Sequence, residues 1–563
     1  MPSMSVSTRK QLPDVRISNL VFNTGEEISI GPTDVIVFVG ANNSGKSQAL
    51  KDVEYLFSNQ SKGADQRGRD TVVVESISFE SAATPGLVDE YYKSLYEFKD
   101  GYYRLPNGSG VYPHQLQQVS NGILDFIAPE YIKRIDSSTR LSAANPTQAP
   151  KAGVSPKSPM QDIYADESKL QSLSNIFEQA FGMKVLNNYR AGGEVYLHTV
   201  SQKFEGKGDR VSDEYINWLQ SQTPLAKQGD GMRSYAGIII DAVVSPKQIV
   251  LVDEPEAFLH PPQKRKLGKA LSEHSIGQTF IATHSSEILQ GLAESPSSKV
   301  RVIRLIRKGN ETHVFEAGPT DVSALFNEPI LRYSKAMDAI FHESAYICED
   351  DSDCRLYQAV YEHCSEKSEM KFPDAHFIPS GGKNNIFKIF QALKKVGADV
   401  NIICDIDLLN SWEVLSRLIT IADGDPQRLK PLWNDVESSV TSGKSANSIP
   451  EIKAAIIDKL NASEPDRLPK SDINELMKSS SPWWKLKAYG VSVLKGQAMS
   501  SFNELYGALV SLGIYVVKEG ELESLVPEIA GHGPRFVNNV LTKYSLDSDH
   551  LEDLREFVTE LTA

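Results

Sequence analysis

The sequence predicts an α/β protein in two parts, and three stretches carry that reading. In "DVIVFVGANNSGKSQALKDVEYLF" (34–57) a β-branched apolar run meets a glycine loop and then residues spaced as on a helix. "QIVLVDEPEAFLHP" (248–261) is a second apolar run that ends in acids, and "DVNIICDIDLLN" (399–410) is a third that ends in an Asp-x-Asp pair. Apolar strands alternating with helical segments are the pattern of parallel sheets covered by helices.

The elements follow in chain order. "DVRISNLVF" (14–22), "DVIVFVG" (34–40) and "TVVVESISFE" (71–80) are rich in Val, Ile and Phe and are expected as strands. Residues 85–135 are mixed and helical in part. The Ser/Ala/Pro-rich stretch 136–162 shows no apolar period and is expected as a mobile surface loop or insertion. Strands and helices resume up to "GQTFIATHSSEIL" (277–289). The chemistry changes near 335–345, which divides the 563 residues into 1–340 and 341–563, in keeping with the usual size of domains.

Hydrophobic residues at 40% and charged residues at 23% describe an ordinary globular protein. No apolar run approaches the roughly 18 residues that span a bilayer, and "MPSMSVSTRKQLPD" lacks the apolar core of a secretory signal. A cytoplasmic location without a membrane partner is expected. The cysteines Cys348, Cys354, Cys364 and Cys404 have no zinc-type spacing and read as reduced, mostly buried thiols. A net charge of −14 argues against non-specific coating of nucleic acid by the whole surface and leaves room for a local basic groove.

The glycine loop fits G-x-x-x-x-G-K-S, with Gly40 and Gly45 framing Asn42, Asn43 and Ser44 and followed by Lys46 and Ser47. Glycines let backbone N–H groups face phosphate oxygens, Lys46 reaches the β/γ-phosphates and the Ser47 hydroxyl ligates Mg²⁺. ATP with Mg²⁺ is the expected ligand. At the end of the second apolar run Asp253 is placed to hold Mg²⁺ and Glu254 to polarise the attacking water. His284, after a further strand, is a candidate contact to the γ-phosphate or the catalytic water.

This order of motifs resembles the ABC-type ATPase heads of the SMC, RecF and OLD families. "QGDGMRSYAG" (228–237) falls at the family's signature position, where a glycine turn opens a helix whose N-terminus meets the γ-phosphate of a second subunit. Gly231 and Arg233 match, while Asp230 stands where the family usually carries serine, a departure that bears on hydrolysis across a dimer. The resemblance implies ATP as a clamp between heads, and so a homodimer or a higher homo-oligomer.

In the second part, "SAYICEDDSDCRLY" (344–357) sets an apolar strand before Glu349. A strand and a Gly381-Gly382 turn follow, and then Asp405 and Asp407. Residues two apart on an extended segment share a face, so these carboxylates are expected to hold Mg²⁺ or Mn²⁺, with Glu349 completing the set. The sequence resembles the Toprim domain of topoisomerases, primases and OLD-family nucleases. That resemblance implies metal-ligand or acid/base roles for Glu349, Asp405 and Asp407, and a further acidic position at Asp353. It also implies a second metal ligand at Glu521 or Glu523, between which the sequence does not choose. Lys518 is a weaker candidate for a phosphate contact.

Together the motifs resemble an OLD-family arrangement, as in bacterial anti-phage systems of the Gabija or retron-effector type. This implies a metal-dependent DNA endonuclease governed by ATP. It also implies DNA as substrate and a second defence component, either a protein or a reverse-transcriptase/RNA–DNA complex. Two other readings stand beside it: an ATP-dependent DNA clamp or repair scaffold with a non-cleaving Toprim domain, and a topoisomerase or primase subunit. The last needs a nucleophilic tyrosine in a DNA-breakage domain, for which the chain offers no convincing room. "PWWKLK" (482–487) is expected to serve core or subunit packing more than base stacking.

Overall fold

The computed structural model describes residues 10–62, 71–105, 110–150, 156–295, 299–369, 371–442, 449–463, 469, 473, 476, 477 and 481–562. The chain divides into two compact units, Met1–Arg332 and Tyr333–Ala563.

The first unit is built on a six-stranded sheet. Its order is Glu311–Ala317, Val300–Lys308, Val35–Val39, Gln278–Ala282, Ile249–Asp253 and Ile132–Ile135. The Glu311–Ala317 edge strand is antiparallel to its neighbour and the other pairs are parallel. Every residue of Val35–Val39 is buried, which explains why that strand reads as a continuous apolar run rather than an alternating one. The helix Lys46–Ser58 buries Ala49, Leu50, Val53, Leu56 and Phe57 in the same core as Ile36, Phe38 and Phe280. A smaller antiparallel sheet, ordered Glu27–Ser29, Val15–Phe22, Val74–Ser81, contributes Ile17, Leu20 and Phe22 to that core.

The stretch 136–162, expected as a mobile surface loop or insertion, carries helical structure at both of its ends. Asp136 caps a helix over Ser137–Ala143 by accepting from the N–H groups of Ser138 and Thr139, each at 3.0 Å. Ser158 caps a second helix, Pro159–Ala165. The Asp, Ser and Pro residues that suggested a loop are here cap and first-turn residues, and seven-residue helices are too short to show an apolar period. Residues 151–155 lie outside the described residues.

The second unit holds a four-stranded parallel sheet in the order Ala375–Pro379, Ser344–Cys348, Val400–Asp405, Ile514–Val517. Helices Asp351–Lys367, Gly533–Lys543 and Glu552–Glu560 pack on it through a core that includes Tyr346, Leu356, Tyr357, Phe536, Val537 and Phe557. Cys348, Cys354 and Cys404 are buried, and all four cysteines are free thiols. Among the described residues no helix is long and apolar enough to cross a membrane. Each unit thus has a parallel or mainly parallel sheet packed with helices, and in such sheets ligands gather beyond the carboxyl ends of the strands.

Candidate functional site

In the first unit three neighbouring strands end at one edge. Val35–Val39 runs into the loop 40–45, Ile249–Asp253 into Glu254, and Gln278–Ala282 into Thr283 and His284. The loop turns through left-handed backbone at Gly40 (φ 141°), Asn43 (φ 64°) and Gly45 (φ 100°). A Cβ on Gly40 would lie 2.5 Å from the Leu305 carbonyl oxygen, and one on Gly45 2.7 Å from Val73 Cγ2, so glycine is required at both ends. Asn42 and Asn43 are exposed at the tip. The buried Ser44 hydroxyl finds no hydrogen-bond partner among the described residues.

Lys46 folds back over the loop, its Nζ donating to the carbonyls of Gly40 and Ala41 at 2.9 Å each. Burial lowers its pKa, opposed by the charges of Glu256, Glu254 and Asp253. Ser47 Oγ donates to Asp253 Oδ1 at 2.7 Å. Burial raises the Asp253 pKa, and the Ser47 hydrogen bond partly offsets it. The glycine cradle, the orphaned Ser44 hydroxyl and the Ser47–Asp253 pair fit a nucleotide triphosphate with its magnesium ion.

Glu254 adopts a left-handed backbone (φ 48°), unusual for a residue with a side chain, and its carboxylate end is exposed. Its N–H donates to the Ala282 carbonyl at 2.9 Å. Its own carbonyl accepts from Arg140 Nη1 at 2.7 Å. Arg140 is fully buried and also donates to Asp253 O at 3.2 Å and to Ser137 Oγ at 3.1 Å. This arginine escaped sequence reasoning because it lies in the stretch taken for a loop. Glu256, the third acid of "DEPEAF", was also missed. It is buried, accepts from Thr283 Oγ1 and from His284 N–H at 2.8 Å each, and lies 3.1 Å from the half-exposed His284 ring at Nδ1. Glu256 therefore orients the histidine that the sequence singled out.

The segment 228–237 opens a helix, Asp230–Ile239, with Gly229 as its N-cap. Gly231 packs so closely on the chain after Glu254 that a Cβ would lie 2.6 Å from Phe258 O. Arg233 pairs with Asp230 at 3.2 Å and donates to Leu141 O at 3.2 Å.

In the second unit Glu349, Asp405 and Asp407 each offer a carboxylate oxygen within 4.8 Å of the others. The reason differs from the one expected. The strand ends at Asp405, and Asp407 lies in the 3₁₀ turn Ile406–Asn410, so a turn rather than the pleat of a strand turns both acids toward Glu349. The Gly381-Gly382 turn fixes Glu349 from behind: the Glu349 carbonyl accepts from Gly382 N–H at 3.2 Å and from the Ser380 hydroxyl at 3.0 Å. Burial pushes the Asp405 pKa up to about 6, opposed by Lys487 and reinforced by Asp407 and Glu521. Asp353 accepts from the Asp350 N–H at 3.1 Å, and burial together with Asp405, Asp350 and Glu523 lifts it to about 7.

The two late acids separate. Glu521 meets Lys487 at 3.1 Å, whereas Glu523 accepts from Gly533 N–H at 3.1 Å and from His532 Nδ1 at 3.2 Å. Glu521, Glu523 and His532 also form a group with ligand atoms within 4.8 Å. Lys518, considered for a phosphate contact, pairs instead with Glu560 at 3.1 Å and lies over the Tyr506 ring. The lysine that does enter the cluster is Lys487, at the end of "PWWKLK"; Trp483 of that stretch stacks on Trp433. Carboxylate oxygens without thiolates suit hard divalent cations such as Mg²⁺ or Mn²⁺.

Residues 35–290 match the family model described as "AAA domain, putative AbiEii toxin, Type IV TA system". The Old nuclease of Escherichia phage P2 is 21% identical over 285 residues, which is 49% of this chain and 43% of that protein, so the match spans less than half of that relative. Among solved structures, the SMC head domain from Thermotoga maritima matches with a TM-score of 0.29 and 12% identity, over 54% of this chain and 99% of its own. An Smc head domain with an extended coiled coil, bound to the C-terminal domain of ScpA derived from Pyrococcus furiosus, matches with a TM-score of 0.31 and 11% identity, over 56% of this chain and 99% of its own. Residues 35–290 thus carry an ATPase domain of the AAA type, in a chain related to the Old nuclease.

Proposed function

We propose that this protein is a metal-dependent DNA endonuclease of the OLD type, in which nucleotide bound by the ATPase domain governs cleavage by a Toprim-type second unit. The observation that carries the reading is the convergence of Glu349, Asp405 and Asp407 within 4.8 Å at the carboxyl ends of adjacent parallel strands. Such a set, loaded with Mg²⁺ or Mn²⁺, supplies the Lewis acid for phosphodiester hydrolysis. Asp405 and Asp407 would hold the metal and Glu349 would complete its shell or move a proton to or from the attacking water. Asp353, Glu521 and Glu523 would tune the charge of the cluster, since Glu521 acts on Asp405 and Asp405 and Glu523 act on Asp353.

In the ATPase domain, the backbone of residues 40–45 with Lys46 would bind the triphosphate, and Ser47 and Asp253 would hold Mg²⁺. Glu254 would orient the attacking water, with His284 beside it. The helix at Asp230 would face a second head, so a homodimer or higher oligomer is part of the reading, as is a role as effector of an anti-phage system with a second component. The kinship with the Old nuclease supports the nuclease assignment.

The test is cleavage of plasmid and linear DNA by the full chain with Mg²⁺ or Mn²⁺, with and without ATP, beside an Asp405→Ala, Asp407→Ala double variant. Cutting that the double variant loses, while it still binds ATP, is the expected result. Full cutting by the double variant would remove the site assignment. ATP binding by a chain that binds DNA without ever cutting it would favour a clamp or scaffold.

A further inference from the structure

Four of the chain's five tryptophans lie between residues 412 and 484, and three of these form one aromatic cluster in the second unit. Trp433 is buried at its centre. Its ring lies 5.4 Å from that of Trp412, tilted by 48°, and 6.5 Å from that of Trp483, stacked at 22°. Trp433 Nε1 donates to Leu409 O at 2.7 Å, and Leu409 belongs to the same 3₁₀ turn as Asp407. Trp412 opens the helix that follows this turn, Trp412–Ile421, with Ser411 as its N-cap.

The third indole is tied to the same place. Trp483 is the N-cap of the short helix Trp484–Tyr489, which lies against the segment that presents Glu521. Gly520 (φ 124°) approaches that helix so closely that a Cβ would be 2.1 Å from Lys487 O. Gly490 (φ 60°) would place one 2.4 Å from Lys518 O. Ile406 N–H, between the two aspartates, donates to Gly520 O at 2.8 Å. The tryptophans thus sit on the elements that also present Asp405, Asp407 and Glu521, and backbone contacts hold them there.

Packing accounts for Trp433, which is buried with its N–H satisfied, but Trp412 and Trp483 stay partly exposed. Lys430 places its ammonium 4.4 Å from the Trp412 ring and 4.1 Å from the Trp433 ring. In a chain of net charge −14, residues 481–503 carry Lys485, Lys487 and Lys495 and no acid. Aromatic faces among lysines suit a single nucleic-acid strand, because every base has a face to stack and the cations follow the phosphates. In a duplex those faces are covered by the neighbouring pairs, so only an unpaired base can use the indoles. We infer that Trp412 and Trp483 stack unpaired bases of a DNA strand that runs to the Glu349, Asp405 and Asp407 cluster. The second unit would then engage DNA where it is single-stranded, frayed at an end or melted. The inference rests on the nuclease reading of the previous section.

The experiment is fluorescence anisotropy of labelled DNA with the full chain, in chelator so that no strand is cut. Three probes are compared: a single strand, the same strand with abasic sites in place of its bases, and the blunt duplex. The abasic strand keeps every phosphate and loses every stacking face. The native chain should bind the natural strand at least about tenfold more tightly than the abasic one, and more tightly than the duplex. Trp412→Ala and Trp483→Ala should each weaken binding of the natural strand by at least about fivefold and leave the abasic strand unchanged. Trp412→Phe and Trp483→Phe, which keep an aromatic face, should restore most of the loss.

Equal affinity of the native chain for the natural and abasic strands, with metal-dependent cutting intact, would overturn the inference and leave the nuclease reading standing; that result needs no variant to fold. Tighter binding of the duplex than of the single strand would overturn it as well, as would folded alanine variants that bind the natural strand like the native chain. Absence of binding to any of the probes, together with absence of cutting in Mg²⁺ or Mn²⁺, would overturn the nuclease reading and the inference together.

Discussion

Replacing Arg140 with methionine tests whether the short helix Ser137–Ala143 holds the strand end proposed to carry the chemistry of the ATPase domain. Arg140 has no solvent exposure, and its guanidinium donates to Glu254 O at 2.7 Å, Asp253 O at 3.2 Å and Ser137 Oγ at 3.1 Å. Methionine has similar length and no donor. Each bond from a charged donor contributes about 1.5–3 kcal/mol, and each acceptor left buried without one costs about 1–3 kcal/mol. Relief of a buried charge offsets part of the loss, since burial already depresses the Arg140 pKa. A net cost of about 3 kcal/mol follows. In a unit of this size, Met1–Arg332, an unfolding entropy of about 2.1 cal/mol/K per residue turns that into a fall of roughly 4 °C in melting temperature.

The same change should also reach the chemistry. Glu254 sits at φ 48°, a conformation that costs on the order of 1–3 kcal/mol and that Arg140 and the Ala282 carbonyl hold in place. Without the arginine the carboxylate loses its aim. Phosphate release from ATP should drop by at least about tenfold, while affinity for a fluorescent ATP analogue, set by the 40–47 loop, changes less than about threefold. Thermal melting, analogue binding and phosphate release on the full chain measure all three quantities. A melting temperature within about 1 °C of the native value together with unchanged turnover would refute the reasoning.

Three further changes test other parts of the site. Lys46→Ala should weaken ATP binding by at least about tenfold in a calorimetric titration while melting changes little, because among the described residues the hydrogen bonds of the lysine go to the Gly40 and Ala41 carbonyls of its own loop. Gly520→Ala would force a Cβ to 2.1 Å from Lys487 O at a left-handed φ, so metal-dependent DNA cleavage and the stability of the second unit should fall together. Asp136→Ala should cost about 1 kcal/mol through the lost helix cap, read by chemical denaturation at neutral pH. Burial works against the Asp136 charge, but the Thr139 and Ser138 donors and Arg134 outweigh it and hold its pKa at about 2, below the ordinary 3.8. Its contribution is therefore full above about pH 3.8 and is lost as pH falls through about 2, so native and variant stabilities should converge in acid.

The nucleotide loop, the Asp253–Glu254 strand end and the Asp-x-Asp pair were legible in the sequence because each is a local device. The residues of each lie within a dozen positions, so spacing brings them to notice, although for Asp405 and Asp407 a 3₁₀ turn and not the expected strand pleat sets the geometry. The apolar runs Val35–Val39 and Ile249–Val252 likewise announced a sheet covered on both faces. What the sequence did not express were the contacts that aim these devices. Arg140 reaches Glu254 across 114 residues, and Lys487 reaches Asp405 across 82.

Neither long-range contact leaves a periodic or compositional trace. The Arg140 helix is short and wrapped in Ser, Ala and Pro, so its capping looked like a loop; "PWWKLK" looked like packing. Sheet order brings Ile132–Ile135 beside Ile249–Asp253 and delivers Arg140 to the strand end. The close backbone approach at Gly490 and Gly520 delivers Lys487 to the carboxylates. The sequence alone singled out the groups proposed to bind phosphate and metal; the tertiary structure decided which distant side chains contact them, because only packing joins residues that far apart along the chain.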